Sequence, residues 1–170
     1  ISAGLKKSNN KDLGLIFSEK KCIAHAIFTQ NKVVAAPITI GRKIIKKKSI
    51  QSIVVNSGSA NACTGEEGIV ATNKVLDCIA SLTNMKSDNF FPSSTGIIGS
   101  QLDYKAINKN IPKLIKSLSD KGYKDFAEAI TTTDKFLKIS HKRIKIGGNF
   151  YNFLGIAKGA GMIHPNMATM

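Results

Sequence analysis

The apolar positions in the first third of the chain come in short runs cut by charged material. Residues 12–18 (DLGLIFS), 22–29 (CIAHAIFT), 36–45 (APITIGRKII) and 52–58 (SIVVNSG) are apolar or alternating, and Glu19-Lys20-Lys21 is typical of what separates them. Short runs rich in Ile, Val and Phe fit a pleated, half-buried surface. Each is therefore expected to be a strand, and together they predict a meander or a mixed sheet.

Beyond residue 56 the pattern changes. Residues 56–68 (NSGSANACTGEEG) concentrate Gly, Ser and Asn, which tolerate positive φ and expose backbone N–H groups, so a loop is expected there. Thr64 and Glu67 stand at capping-box spacing, and a helix should begin with them. Ile69, Val75, Leu76, Ile79 and Leu82 give that helix one buried face, through about Ser81. Ile107, Ile111, Leu114, Ile115 and Leu118 predict a second helix, which Pro112 should kink or divide because it removes a backbone donor. Residues 123–132 (YKDFAEAITT) predict a third. Between the first two helices, residues 89–100 (NFFPSSTGIIGS) form an apolar, strand-like segment interrupted by small residues and Gly96. From Phe136 onward the pattern is strand, a turn at Gly147-Gly148-Asn149, strand, and then a glycine-rich loop.

Composition adjusts this picture modestly. A chain of 170 residues with 42% hydrophobic and 21% charged content is the size and make-up of one folded domain. Its apolar runs fall short of the roughly 18–20 residues that span a bilayer, so no membrane partner is expected. Ile1 in place of Met suggests a trimmed N-terminus. The net charge of +14 raises nucleic acid as a partner, but only Arg42 and Arg143 are arginines, and the lysines scatter from Lys6 to Lys158. Guanidinium is the favoured group for phosphates and guanines, and with no Trp the chain is poor in stacking platforms. A solvated lysine-rich surface is the better reading. Cys22, Cys63 and Cys78 are odd in number and lack C-x-x-C spacing, which points to reduced thiols and a cytoplasmic setting; Cys63 reads as a buried packing residue. His25, His141 and His164 show no metal-ligand spacing, and no metal is expected.

The candidate chemistry lies at the end. AKGAGMIHPNMATM (157–170) lacks the Walker spacing of a phosphate-cradling loop. Gly159 and Gly161 can bring backbone close to a small reacting centre, for which Thr169 is the candidate. A threonine hydroxyl is a weak nucleophile until something takes its proton. As the first residue of a chain, threonine has its own α-amine, with a pKa of about 7.7–8.0, as that base. The bond between Ala168 and Thr169 must then be cut. The cut can be self-made: the hydroxyl attacks the preceding carbonyl, an ester forms, and water releases the new terminus.

Six segments, GLKKSNNKDLGLIFS, FTQNKVVAAPI, IVVNSGSANACTG, SSTGIIG, AEAITTTD and GIAKGAGMIHPNMATM, occur in order over nearly the whole chain. Together they resemble the α-chain part of the ornithine acetyltransferase family, the self-cleaving glutamate N-acetyltransferases of arginine biosynthesis. The resemblance implies a mixed α/β fold, a layered αββα sandwich like that of the N-terminal-nucleophile hydrolases, of the DmpA and ornithine acetyltransferase kind. It implies transfer of acetyl from N-acetylornithine to glutamate through an acetyl-enzyme, with Thr169 as nucleophile and Ala168-Thr169 as the cleavage site. Thr95 and Gly96 then correspond to the oxyanion hole, and Lys158 and one threonine of TTTD, Thr132 in preference to Thr133, to substrate contacts. Residues 1–168 would be the α chain as a single domain and 169–170 the start of a β chain, the two assembling as an α2β2 heterotetramer. No cofactor is implied, and acetyl-CoA as a further acetyl donor stays open. Ser59, Lys135 and Leu137 depart from the family pattern, as does a chain running past Ala168. Two rival readings remain: an amidase or aminopeptidase that keeps the nucleophile, and a basic nucleic-acid or interaction module resting on charge alone.

Overall fold

A computed structural model of the chain describes residues 1–161 and residue 167. Its centre is a three-stranded sheet of β1 (Leu13–Ile23), β2 (Ser49–Ser59) and β3 (Phe90–Ile97), in that order. β1 and β2 are antiparallel, whereas β2 and β3 are parallel and joined through the helix α2 (Gly65–Thr83). The sheet is therefore mixed. Burial alternates along β2: Ile50, Ser52 and Val54 are buried while Gln51 and Ile53 between them are partly exposed.

Helices cover both faces. Val75, Leu76 and Ile79 of α2, together with Ile107, Ile111 and Leu114 of α3 (Tyr104–Lys116), form the main core with Leu13, Leu15, Val54 and Phe90. On the opposite face, α4 (Tyr123–Ile130) lies so close to β1 that a Cβ at Gly14 would come within 2.9 Å of the Phe126 ring. Ser57 ties the same face down by donating to the Ala129 carbonyl at 2.5 Å.

Several expectations need correcting. Residues 36–45 are not a strand: Ala36–Ile44 form a helix, α1. Pro37 sits in its first turn, where a missing N–H costs nothing, and Ala36, Pro37, Ile40, Gly41 and Ile44 are buried at helical spacing. The run 22–29 pairs with the sheet only through Cys22 and Ile23. Ile23 and Ile27 project into solvent, so no face of that segment is buried enough to hold it in register. The capping box at Thr64 does not form. The Thr64 hydroxyl donates to the buried Asn61 side-chain oxygen at 2.8 Å, and no side-chain cap reaches the α2 amides. Leu82 and Leu118 are exposed rather than on the buried faces of their helices. Pro112 does not divide α3, which is continuous from Tyr104 to Lys116. Cys63 is exposed rather than buried, and its φ is 56°.

The last described elements are the hairpin β4 (Lys138–Ile146) and β5 (Asn149–Ala157), paired from Lys138 opposite Ala157 to Ile146 opposite Asn149. Gly147 and Gly148 both have positive φ, the requirement of a two-residue primed turn, so Asn149 belongs to the strand and not to the turn.

Candidate active site

β2 and β3 end almost level, with Ser57 opposite Thr95 and Gly58 opposite Gly96. Where neighbouring parallel strands end and their connections part, a crevice opens at their C-terminal edge. Here it is a hollow of about 120 Å³ walled by Ala35, Pro37 and Ile38 at the start of α1, Ala60 and Ala62 after β2, and Thr95 and Gly96 of β3. Two glycines let the backbones of the strand ends meet beside it. Gly96 has φ 137°, and a Cβ there would lie 2.4 Å from the Gly58 carbonyl carbon; a Cβ on Gly58, at φ 115°, would lie 2.6 Å from the Leu5 carbonyl oxygen.

The loop after β2 is held by a buried polar network rather than by apolar packing. The Asn61 side chain donates to the Gly68 carbonyl at 3.0 Å and to Thr72 Oγ1 at 2.8 Å, and the Asn61 backbone carbonyl accepts from the Ala36 amide at 3.0 Å. One asparagine thus joins the first turns of α1 and α2 to the loop beside the hollow. Asn56, also buried, donates to the Ser59 carbonyl and accepts from the Ser94 hydroxyl, which fixes the strand just before Thr95.

Lys158, the first residue past β5, reaches back to this edge. Its ammonium donates to Thr95 Oγ1 at 2.8 Å and to Thr132 Oγ1 at 3.3 Å. A hydroxyl that accepts from a cation keeps its own proton free to donate and becomes a stronger donor. Thr95, Gly96, Thr132 and Lys158, singled out in the sequence, are therefore neighbours. Within the threonine run it is Thr132 whose hydroxyl meets the lysine, while the Thr131 hydroxyl donates to the Glu128 carbonyl at the end of α4.

Asp134 is a residue that sequence reasoning missed. Its side chain has no solvent exposure and takes Lys138 Nζ at 2.6 Å and the Gly159 amide at 2.7 Å on Oδ1, with the Thr132 amide at 3.4 Å on Oδ2. The Lys138 hydrogen bond, against the opposing effect of desolvation and with help from the two amides, lowers its carboxyl from 3.8 to about 2. The signal available was an aspartate directly after a threonine run and just before a strand. Lys6 was missed too. Burial lowers its pKa, with the Lys158 ammonium adding to that and the buried Asp12 carboxylate opposing it, and its own ammonium donates to the Lys11 carbonyl at 2.7 Å.

Ala168 and Thr169, the cleavage and nucleophile candidates, lie outside the described residues. Met167 is described: its carbonyl accepts from the Gln30 amide at 2.6 Å and the Thr29 hydroxyl at 2.9 Å, and the Thr29 carbonyl in turn accepts from Arg42 Nη2 at 2.8 Å. Among the described residues no helix is long and apolar enough to cross a membrane.

Thr95 and Gly96 on the wall of a small hollow, with the Lys158 ammonium joining the Thr95 hydroxyl to that of Thr132, suit a centre that stabilises developing negative charge. Comparison with known proteins narrows that class to a single family. A model of the ArgJ family matches residues 1–170, and the chain belongs to that family. It is 51% identical over 167 residues to arginine biosynthesis bifunctional protein ArgJ 2 of Clostridium acetobutylicum, covering 98% of this chain and 42% of that protein. It is 47% identical over 172 residues to the mitochondrial ArgJ bifunctional protein of Dictyostelium discoideum, covering 99% of this chain and 38% of that one. The chain thus spans about two fifths of the length of these relatives. Among solved structures it resembles the ArgJ protein of Bacillus halodurans, with TM-score 0.90 and 35% identity over 98% of this chain and 87% of that one. It also resembles an ornithine acetyltransferase of Mycobacterium tuberculosis complexed with ornithine, with TM-score 0.87 and 30% identity over 97% and 88%. The fold is accordingly the mixed α/β, N-terminal-nucleophile-hydrolase-like architecture that the motifs implied.

Proposed function

We propose that this chain is the N-terminal part of an ornithine acetyltransferase that moves acetyl from N2-acetylornithine to glutamate through an acetyl-threonine on Thr169. The observation that carries the reading is the Lys158 ammonium set between the Thr95 and Thr132 hydroxyls, beside Gly96, from three distant parts of the sequence. The relatives' names place them in arginine biosynthesis, and one solved relative holds ornithine.

Chemistry begins with maturation. Thr169 Oγ attacks the Ala168 carbonyl, the amide becomes an ester, and water hydrolyses it to an Ala168 carboxylate and a free Thr169 α-amine. Two lengths support the cut: the chain covers 87% of a solved relative's chain but only 42% of a full-length curated relative. The freed amine then takes the Thr169 hydroxyl proton as oxygen attacks the acetyl carbonyl. The Thr95 hydroxyl and the Gly96 N–H receive the developing oxyanion, ornithine leaves with the proton on its nitrogen, and glutamate's amine takes the acetyl from the ester. One such donor is worth on the order of 100- to 1,000-fold in rate. Lys158 and Thr132 hold a substrate carboxylate, the ammonium acting as a compact point charge. The hollow between Ala60, Ala62 and Ile38 is sized for a small acyl group.

Residues 1–168 are then an α chain, and a β chain beginning at Thr169 completes the site, as an α2β2 assembly in the cytoplasm, with acetyl-CoA as an optional second donor. The hairpin supports a missing partner, since Phe150, Phe153 and Leu154 are each half or more exposed. The test joins the chain to its C-terminal remainder. Mass spectrometry should find two products split at Ala168-Thr169, and labelled acetyl should pass from acetylornithine to glutamate. Thr169→Ala should abolish both. An uncut wild-type mass, or ornithine release without acetylglutamate, sinks the proposal.

A further inference from the structure

Asp134 gathers the open end of the hairpin. Lys138 and Ala157 are the first register pair of β4 and β5, and Asp134 Oδ1 accepts from the Lys138 ammonium on one strand and from the Gly159 amide just beyond the other. Its second oxygen accepts from the amide of Thr132. The same carboxylate therefore fixes the backbone next to both Lys158 and Thr132, the two groups that meet at 3.3 Å. Apart from this end, the hairpin's side chains are largely exposed, so packing does little to set where Lys158 falls. An aspartate whose side chain has no solvent exposure and whose oxygens are spent on two amides and an ammonium is built to position.

We propose that Asp134 is a positioning residue: it anchors the Lys158-Gly159 turn so that the lysine ammonium stands between Thr95 and Thr132, ready for a substrate carboxylate. The carboxylate role rests on the acetyl-transfer reading, while the anchoring does not. Asp134 itself touches no substrate. Its influence passes through Lys158.

The full-length protein tests both parts. Amide exchange at Gly159, followed by mass spectrometry or NMR, is independent of any reaction. Asp134→Ala should speed it at least tenfold while core amides of α2 and α3 keep their protection. Asp134→Asn retains a side-chain oxygen to accept the Gly159 amide and should restore most of that protection. Unchanged exchange in Asp134→Ala overturns the anchor. Kinetics then test the role: Asp134→Ala should raise KM for glutamate about tenfold with kcat within about threefold, and should add less than twofold in a Lys158→Ala background. An additive loss in the double variant overturns positioning through Lys158, because a merely structural defect would add to any other. A wild type that transfers no acetyl defeats the proposed function, and the exchange measurement still decides the anchor.

Discussion

Replacing Gly96 with alanine tests the close approach on which the site is built. The perturbation has two parts that a second glycine separates. At Gly96 the backbone has φ 137° and the new Cβ would lie 2.4 Å from the Gly58 carbonyl carbon, with the carbonyl oxygen and amide nitrogen at 2.6 and 2.8 Å. At Gly99 φ is 81° and nothing lies within 4 Å. Backbone strain in a sparsely populated region costs about 1–3 kcal/mol and falls on both variants. The collision falls on Gly96→Ala alone, and since its partner is backbone in a neighbouring strand, relief requires the ladder to move, at about 1–3 kcal/mol in the manner of overpacking. Gly96→Ala should therefore unfold about 1–3 kcal/mol more easily than Gly99→Ala in urea titrations of the full-length protein. That difference is large beside a net stability of about 5–15 kcal/mol. Acetyl transfer should fall at least about 100-fold in Gly96→Ala, because a shifted strand end no longer aims its amide. Equal unfolding midpoints for the two variants would show that β2 and β3 do not meet as closely as described and would refute the reasoning.

Three other outcomes follow from the same geometry. The Asp134 carboxyl is held near 2 against an ordinary 3.8 by Lys138 and two amides, so its contribution is complete above about pH 4 and is lost as the pH falls toward 2; a side-chain carbonyl NMR titration with a midpoint near 4 would contradict this. Ile111 in α3 is fully buried, and Ile111→Ala should cost about 2–5 kcal/mol in urea unfolding, whereas Ile97→Ala, at a residue 66% exposed, should leave stability within about 0.5 kcal/mol. Thr29→Val removes a hydroxyl that donates to the Met167 carbonyl, two residues before the proposed nucleophile; precursor cleavage, followed by gel over time, should slow about tenfold, and an unchanged rate would mean that Thr29 does not guide that segment.

What the sequence made legible depended on whether one residue's surroundings come from its near neighbours. The faces of α2 and α3 were readable because Val75, Ile79, Ile107 and Ile111 repeat at the helical period and that period alone decides which way they point. Residues 36–45 were misread because Ile38, Ile40 and Ile44 all fall at alternating positions, although only Ile40 and Ile44 also stand at helical spacing, and their β-branching favoured the strand. The buried Gly41, packed 2.9 Å from the Phe91 ring where a Cβ would project, decides for the helix, and that ring lies 50 residues away in the chain. The site divides in the same way. Thr95, Thr132 and Lys158 came from the likeness of whole motifs, since nothing local marks a threonine that will face a lysine 63 residues later. Asp134 stood in the same TTTD motif with no role attached to it. Its value arises only when the hairpin closes and returns Gly159 to it across 25 residues. The parallel ends of β2 and β3 bring the hydroxyl and the glycines to one edge, and the open end of the hairpin, gathered by Asp134, brings the cation to meet them. Each piece is ordinary by itself, a turn glycine, a loop lysine, a threonine run, and the chemistry belongs to the junction. A substitution that loosens the junction without touching any of the four site residues should therefore impair the reaction as surely as one made within it.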